Sequence, residues 1–304
     1  MTYTPPYDDA FKQAAIKMAA EIGIPKASIE CKIRENTLRA WVAKDNQRQP
    51  NAPKLGAAPV GQISNPTCTQ AVQHIPQSVV LTIPDLHCPF EHPHALLFLQ
   101  AIRVKYHPTH IVCLGDEADF HAMSRYPHDP NGHSAGHELR EAIDHLIPFY
   151  REFPQVMVCE SNHTIRGHKA AFQAGLPAAF MNHIATVLNA PDGWKWASHW
   201  EIDGVRYFHG DCGRSGQYAH MQYLKMFKQN LVHGHIHSFA GVNYEGNHFG
   251  ANSGCLIDES KYAFAYGKNF PIRPSLGCTI VFGGRRATFV PMLTDANNNW
   301  VGAI

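Results

Sequence analysis

Five short clusters of metal-capable side chains punctuate the chain: Asp85-Leu86-His87, Gly115-Asp116-Glu117-Ala118-Asp119, Ser161-Asn162-His163, His209-Gly210-Asp211 and Gly234-His235-Ile236-His237. Imidazole with carboxylate suits Mn, Fe, Zn, Co or Ni, whereas a thiolate set would select softer ions. In Asp-x-His and His-x-His, alternate side chains leave an extended strand end on the same side, so both members of each pair reach one point. The chemistry this donor set supports is hydrolysis assisted by divalent cations. Two such cations roughly 3.5–4 Å apart repel strongly and need an anion between them, and Asp116 is the natural bridge.

Something must gather these residues, because Asp85 and His237 lie more than 150 positions apart. Each cluster follows a short apolar run that reads as a buried strand: Ser78–Ile83, Thr109–Leu114, Gln155–Cys159, Val205–Phe208 and Asn230–His233. Helical patterns cover Ala95–Val104, Glu138–Phe153 (with a kink expected at Pro148) and Tyr218–Phe227. Further strands are expected near 238–244, 277–282 and 287–291. Strands alternating with helices predict a layered α/β fold, central sheets flanked by helices. In such folds the C-terminal strand ends share one edge, so the five clusters would converge there.

The N-terminal 45 residues read differently. Phe11, Ala15, Ile16, Met18 and Ala19 form one apolar face over Asp8–Glu21, ended by Gly23 and Pro25. A second helix is expected over Lys26–Lys32. Asn36 reads as an N-cap before Thr37–Trp41, with Leu38 and Trp41 turned to a small core. This pattern is helix-turn-helix-like, and Arg34, Arg39 and Lys44 would then meet DNA phosphates. A packing module or an oligomerisation arm is the alternative. Residues 46–76 are rich in Pro, Asn and Gln and read as a linker. Residues 77–304 form the expected catalytic domain.

The 304 residues carry a net charge of +1 and 44% hydrophobic residues, which allows a sizeable core and excludes a global field that recruits nucleic acid. None of the eight cysteines forms a C-x-x-C pair, which argues against a structural zinc site and for a reducing compartment. No apolar leader and no run near the roughly 18–20 apolar residues of a membrane span is present, so a cytoplasmic location without membrane contact is expected. Oligomeric state is not legible. Of the 21 histidines, His92, His94, His107, His110, His128, His133 and His137 read as solvated, while His121 and His168 lie close to the motifs. Asp211 either orients His209 or opens a turn at Gly213. The Tyr262–Lys268 segment is aromatic and basic, and reads as an ordinary strand and turn before it reads as a groove border.

The ordered set D-x-H, G-D, N-H, H-G, G-H-x-H resembles the calcineurin-like metallophosphoesterase family over roughly residues 78–240. The resemblance implies a layered metallophosphoesterase sandwich and two divalent metal ions, manganese foremost. Asp85, His87 and His237 would hold one ion and Asn162, His209 and His235 the other, with Asp116 between them. His163 would protonate the leaving oxygen. Asp119 would orient His163, as an aspartate does in the phosphoprotein phosphatase branch. Ser161 and Thr164 stand where the family has glycine and an acid. The arginines that grip phosphate in the protein phosphatases have no counterpart before Asn162, which leaves Arg166 or His168 for that role. Module, linker and phosphoesterase together are similar to proteins of bacteriophages and mobile elements, and the double-strand-break repair nucleases show the family cleaving DNA. Coupling a DNA-reading module to such a centre suggests a nucleic-acid substrate, so a phosphodiesterase or nuclease is the first expectation. A phosphomonoesterase of phosphoproteins or nucleotides is the second reading, and a DNA-binding protein on an inactive scaffold the third.

Overall fold

The computed structural model describes residues 7–46, 78–124, 131–261, 263–264 and 273–304. His128, the linker from residue 47 onward, and most of the Tyr262–Lys268 segment lie outside the described residues. The chain divides into two compact units, 1–72 and 73–304.

The first unit holds α1 (Asp9–Ile22), α2 (Ile24–Glu30) and α3 (Glu35–Asn46). Asp8 caps α1, its carboxylate accepting from the Phe11 amide at 2.7 Å. Ala15, Ala19, Ala27, Ile33 and Leu38 make the core, with Trp41 packed against it. Phe11, expected on the buried face, is exposed and stacks on Tyr7. Asn36 is not the cap of α3. The Arg34 carbonyl accepts from Thr37 and Leu38, so the helix opens before Asn36. The 2.6 Å pair between Glu35 and Arg39 one turn on supports that earlier start.

The second unit runs β1 (Val79–Ile83), α4 (Ala95–Tyr106), β2 (His110–Cys113), α5 (Ala135–Glu152), β3 (Val156–Cys159), α6 (Arg166–Gln173), α7 (Ile184–Val187), β4 (Trp194–Ala197), β5 (Trp200–Ile202), β6 (Val205–Phe208), α8 (Ala219–Phe227), β7 (Asn230–His233), β8 (Gly241–Glu245), β9 (His248–Asn252), β10 (Gly277–Phe282) and β11 (Arg286–Pro291). One sheet has the order β11-β10-β1-β2-β3-β4 and the other β5-β6-β7-β9-β8. β1 to β4 are parallel neighbours, as are β6, β7 and β9.

The strand period of two sorts the side chains into layers. Val80, Val112, Leu114 and Cys159 of the first sheet meet Val205, Tyr207, Val232 and Phe249 of the second. Their neighbours Leu81, Ile83, Cys113 and Val158 point the other way, onto Phe98, Leu99 and Ile102 of α4 and Leu146 and Phe149 of α5. Tyr223 and Leu224 of α8 cover Phe208 and Leu231 on the far side. The result is helix, sheet, sheet, helix: the layered α/β architecture the pattern predicts. Among the described residues no helix is long and apolar enough to cross a membrane.

Two departures have clear causes. α5 begins at Ala135, capped by Ser134, and runs through Pro148 to Glu152. β9, His-Phe-Gly-Ala-Asn, has little strand character by composition. A Cβ on Gly250 would lie 2.7 Å from the His220 carbonyl, so close approach of α8 demands the glycine that hides the strand. His92 is a correction: it is 1% exposed, not solvated. Its Nε2–H donates to the Asn298 carbonyl at 2.9 Å and its Nδ1 accepts from the His94 amide, because the C-terminal segment packs back over it.

Candidate metal centre

The clusters begin where the strands end. β1 delivers Asp85 and His87, β2 delivers Asp116 and Asp119, β3 delivers Asn162 and His163, β6 delivers His209, and β7 delivers His235 and His237. Backbone bonds continue past the strand ends: His87 N–H donates to the Asp116 carbonyl at 2.8 Å and Gly234 N–H to the His209 carbonyl at 2.9 Å. His87, Asp116 and His235 sit at φ of 54°, 50° and 68°. Left-handed backbone costs a non-glycine residue roughly 1–2 kcal/mol, so the fold spends conformational energy to aim these three side chains.

Three sets of side chains bring ligand-type atoms within 4.8 Å of one another: Asp85, His87 and His237; Asp116, His209 and His235; and His87, Asp116 and His163. Asp116 therefore sits between the other residues. Its Oδ2 lies 3.4 Å from His87 Nε2, 3.3 Å from His209 Nε2 and 3.7 Å from His163 Nε2. Asn162 joins through Oδ1, 2.9 Å from His209 Nε2. His235 Nδ1 lies 3.2 Å from the same nitrogen. His237 Nε2 is 3.0 Å from Asp85 Oδ2 and 3.2 Å from His87 Nε2.

The protons on two rings are already committed. His87 Nδ1–H donates to Asp119 Oδ1 at 2.5 Å and His209 Nδ1–H donates to the Leu114 carbonyl at 2.9 Å. A neutral imidazole carries one N–H, so in the neutral, metal-binding form of either ring Nε2 presents a lone pair inward. The His87 lone pair faces Asp116 and His237; the His209 lone pair faces Asp116, Asn162 and His235. Asp85 Oδ1 is buried with no hydrogen-bond partner among the described residues. Acceptors facing acceptors in a buried pocket repel unless a proton or a metal cation lies between them. Metal–ligand bonds of about 2.0–2.2 Å place neighbouring donors about 2.9–3.5 Å apart in octahedral or tetrahedral geometry, and the spacings here run from 2.9 to 3.4 Å. The donor set fits divalent cations.

Charge follows the same logic. Burial by itself would raise Asp116, but His163 and His209 hold it well below the usual carboxylate range. Asp85, also pushed up by burial, is brought down by its hydrogen bond from His237 and by His209. Burial would lower His209, yet Asp116 raises it to about 10, a proton doing there what a divalent cation would do. Glu117 turns away from the cluster. It is fully buried, which drives its carboxyl up to about 7, and it accepts from the Trp196 indole N–H at 3.1 Å.

On the other flank His163 Nδ1–H reaches the Asp119 backbone carbonyl at 2.6 Å and its Oδ1 at 3.2 Å. Asp119 thus meets two rings, His87 as well as His163; the family resemblance pointed only to the second. Burial lowers the His163 imidazole and Asp116 and Asp119 outweigh it, so His163 titrates above the ordinary histidine value. Arg166 anchors its Nη1–H on the Asp119 and Phe120 carbonyls at 2.8 and 3.2 Å and directs Nη2–H to His163 Nε2 at 2.8 Å. Ser161 and Thr164 compensate each other: their hydroxyls lie 2.7 Å apart, and Ser161 Oγ also accepts from the Asp116 amide at 3.1 Å.

Glu138 of α5 was not legible as a site residue. It is 1% exposed, and its carboxylate accepts from the His121 amide and, at 2.8 Å, from the Ala122 amide. That fastens the 3-10 turn His121–Met123, and with it the Asp119-Phe120 carbonyls on which Arg166 and His163 rest. His168 lies on the exposed side of α6, outside the hydrogen bonds of the cluster. Asp211 is exposed, and the orienting partner of His209 is the Leu114 carbonyl. In the first unit Arg34, Arg39 and Lys44 are all exposed.

No protein-family profile and no curated protein matches the chain. Solved structures with a similar course include a single mutant of Vps29 from Entamoeba histolytica, 15% identical over 71% of this chain and 99% of its own, with a TM-score of 0.33. A conserved uncharacterised protein of Streptococcus pneumoniae TIGR4, described as a predicted phosphoesterase, is 13% identical over 72% of this chain and 96% of its own, with a TM-score of 0.31. Pseudomonas putida nuclease MPE is 12% identical over 69% and 86%, with a TM-score of 0.30. Likenesses of this size decide nothing about chemistry, which rests on the side chains of the centre itself.

Proposed function

We propose that the chain hydrolyses phosphoesters with two divalent cations, and that its substrates are phosphodiesters of nucleic acid. Asp85, His87 and His237 would hold one cation and Asn162, His209 and His235 the other, with Asp116 shared. The carrying observation is the convergence of His87 Nε2 and His209 Nε2 on the same carboxylate oxygen, Asp116 Oδ2, at 3.4 and 3.3 Å. Bound there, the cations would neutralise phosphate charge and lower the pKa of attacking water.

The residues beside the cluster supply the rest. His163, protonated under the influence of Asp116 and Asp119, donates from Nε2 to the departing alkoxide. Asp119 keeps that ring in register through its Nδ1. Arg166 offers its guanidinium to the non-bridging oxygens, and an arriving anion draws Nη2–H away from His163. Manganese is the first metal to try, and Fe, Zn, Co or Ni suit the same donors. The basic residues Arg34, Arg39 and Lys44 on the helical unit support the nucleic-acid reading.

The test is turnover of bis-p-nitrophenyl phosphate with Mn²⁺ by wild type, Asp116→Ala and His163→Ala. Turnover by wild type alone is expected. Equal silence of all three would leave a binding protein, and a faster monoester than diester would transfer the reading to phosphomonoesters. Removing residues 1–76 should spare small-substrate turnover and weaken action on DNA.

A further inference from the structure

Helix α6 carries Arg166 to the centre on one side and an exposed apolar stripe on another. Ile165, His168, Lys169 and Phe172 fall at i, i+3, i+4 and i+7, one face of a helix. With Leu176 and Met181 they line a cavity of about 390 Å³. Phe172 is 82% exposed and Leu176 49%, and Phe180 beside them is 77% exposed. An apolar wall left open to water next to the reaction centre is expensive unless something covers it.

The size of the cavity says what covers it. Its volume lies near the low end of small-ligand pockets, and its lining falls well short of the 20–30 residues a side of a standard protein interface. Its position says more. The stripe starts at Ile165, one residue before the arginine that touches His163, and His163 faces the leaving group. Arg166 and His168 are two positions apart, about 3 Å along the axis and turned to different sides of it, so the cavity opens on the flank of the same short helix that presents Arg166 to His163. Its polar members are cations or neutral: Lys169 has no ion-pair partner among the described residues, and His168 is beside it. An apolar face with a neighbouring ammonium matches a base whose sugar-phosphate continues past it.

We propose that this cavity is a nucleobase subsite. It takes the base of the nucleotide attached to the scissile phosphate on the His163 side, stacked on Phe172, with Lys169 meeting the next phosphate. The assignment rests on the phosphoesterase reading and narrows it to nucleotide esters.

Equilibrium dialysis of the Mn²⁺-loaded full chain measures it, with adenosine 5′-monophosphate and 3′-monophosphate against ribose 5-phosphate. One of the two nucleotides should bind about tenfold tighter than the baseless sugar phosphate, as a stacked base gives elsewhere. Phe172→Ala should erase that difference and leave ribose 5-phosphate binding unchanged, and Phe172→Trp should retain it. Equal binding of all three ligands, or a base preference that survives Phe172→Ala, would overturn the subsite. Turnover of bis-p-nitrophenyl phosphate is read in parallel. Turnover without base preference removes the subsite alone, and base preference without turnover removes the hydrolytic reading alone.

Discussion

Gly234→Ala isolates the placement of one carboxylate. Gly234 is not among the glycines with positive φ, so alanine meets no left-handed strain there, but its Cβ would stand 2.2 Å from Asp85 Oδ1 and 3.4 Å from Leu114 Cβ. Carbon and oxygen in contact sit about 3.3 Å apart, so one group must retreat by about 1 Å. The glycine cannot easily be the one: its N–H is tied to the His209 carbonyl at 2.9 Å and its carbonyl accepts from His233 Nδ1–H at 2.7 Å. Asp85 therefore moves, and its Oδ2 loses register with the His235 amide at 2.8 Å and with His237 at 3.0 Å. A misplacement of about 1 Å in a reacting site costs about 100-fold in rate, or about 2.7 kcal/mol at 1.36 kcal/mol per tenfold. Overpacking should also cost about 1–3 kcal/mol of stability, a melting temperature lower by roughly 2–10 °C for a unit of this size. The assay is calorimetric titration of Mn²⁺ with diester turnover alongside. Gly136→Ala is the control, because its Cβ meets nothing nearer than Arg140 Nη1 at 3.8 Å. A folded Gly234→Ala protein with Mn²⁺ affinity and turnover within twofold of wild type would refute the placement of Asp85 in the centre.

Asp119→Asn keeps the size of the side chain and weakens the acceptor for both His87 and His163; Mn²⁺ affinity should fall about 10–100-fold, read by the same titration, with a further drop in turnover at saturating metal. Glu138→Ala leaves the two amides of the 3-10 turn without their carboxylate, which should cost about 2–3 kcal/mol and lower the melting temperature by roughly 5–10 °C, while Glu138→Gln recovers part of both stability and turnover. His233 gives a pH signature apart from catalysis. Burial lowers its imidazole to about 3, so the unfolded chain takes up the proton first. Its contribution to stability is complete above about pH 6.5 and is lost as pH falls from there. Between pH 7 and pH 5 the loss should reach about 2 kcal/mol at 1.36 kcal/mol per pH unit. The urea midpoint of wild type should therefore fall more over that interval than that of His233→Phe, and equal shifts would show that His233 titrates normally in the folded chain.

What made the centre legible was coincidence of two independent patterns, donor types and strand ends. Asp85, Asp116, Asn162, His209 and His235 each follow an apolar run short enough to be a buried strand, and parallel order of β1 to β3 and of β6 and β7 then fixes which ends meet. Glu138 had no such coincidence: it sits on a helix, in a sequence that reads as a polar helix start, and its importance comes from two backbone amides of a turn that only tertiary structure brings to it. α6 escaped for a related reason. Its stripe of Ile165, Phe172 and Leu176 is broken by His168 and Lys169, so periodicity sees a mixed surface where the fold makes a cavity wall. The double duty of Asp119 was hidden too, since spacing after Asp116 says how far a carboxylate can reach and not how many rings wait there. Local sequence thus announces the atoms that would hold cations, because those must be of a few types at strand ends. It is silent on the atoms that hold the holders, because a carbonyl such as Leu114 O, or a glycine such as Gly234 that merely leaves room, does its work without any distinctive side chain.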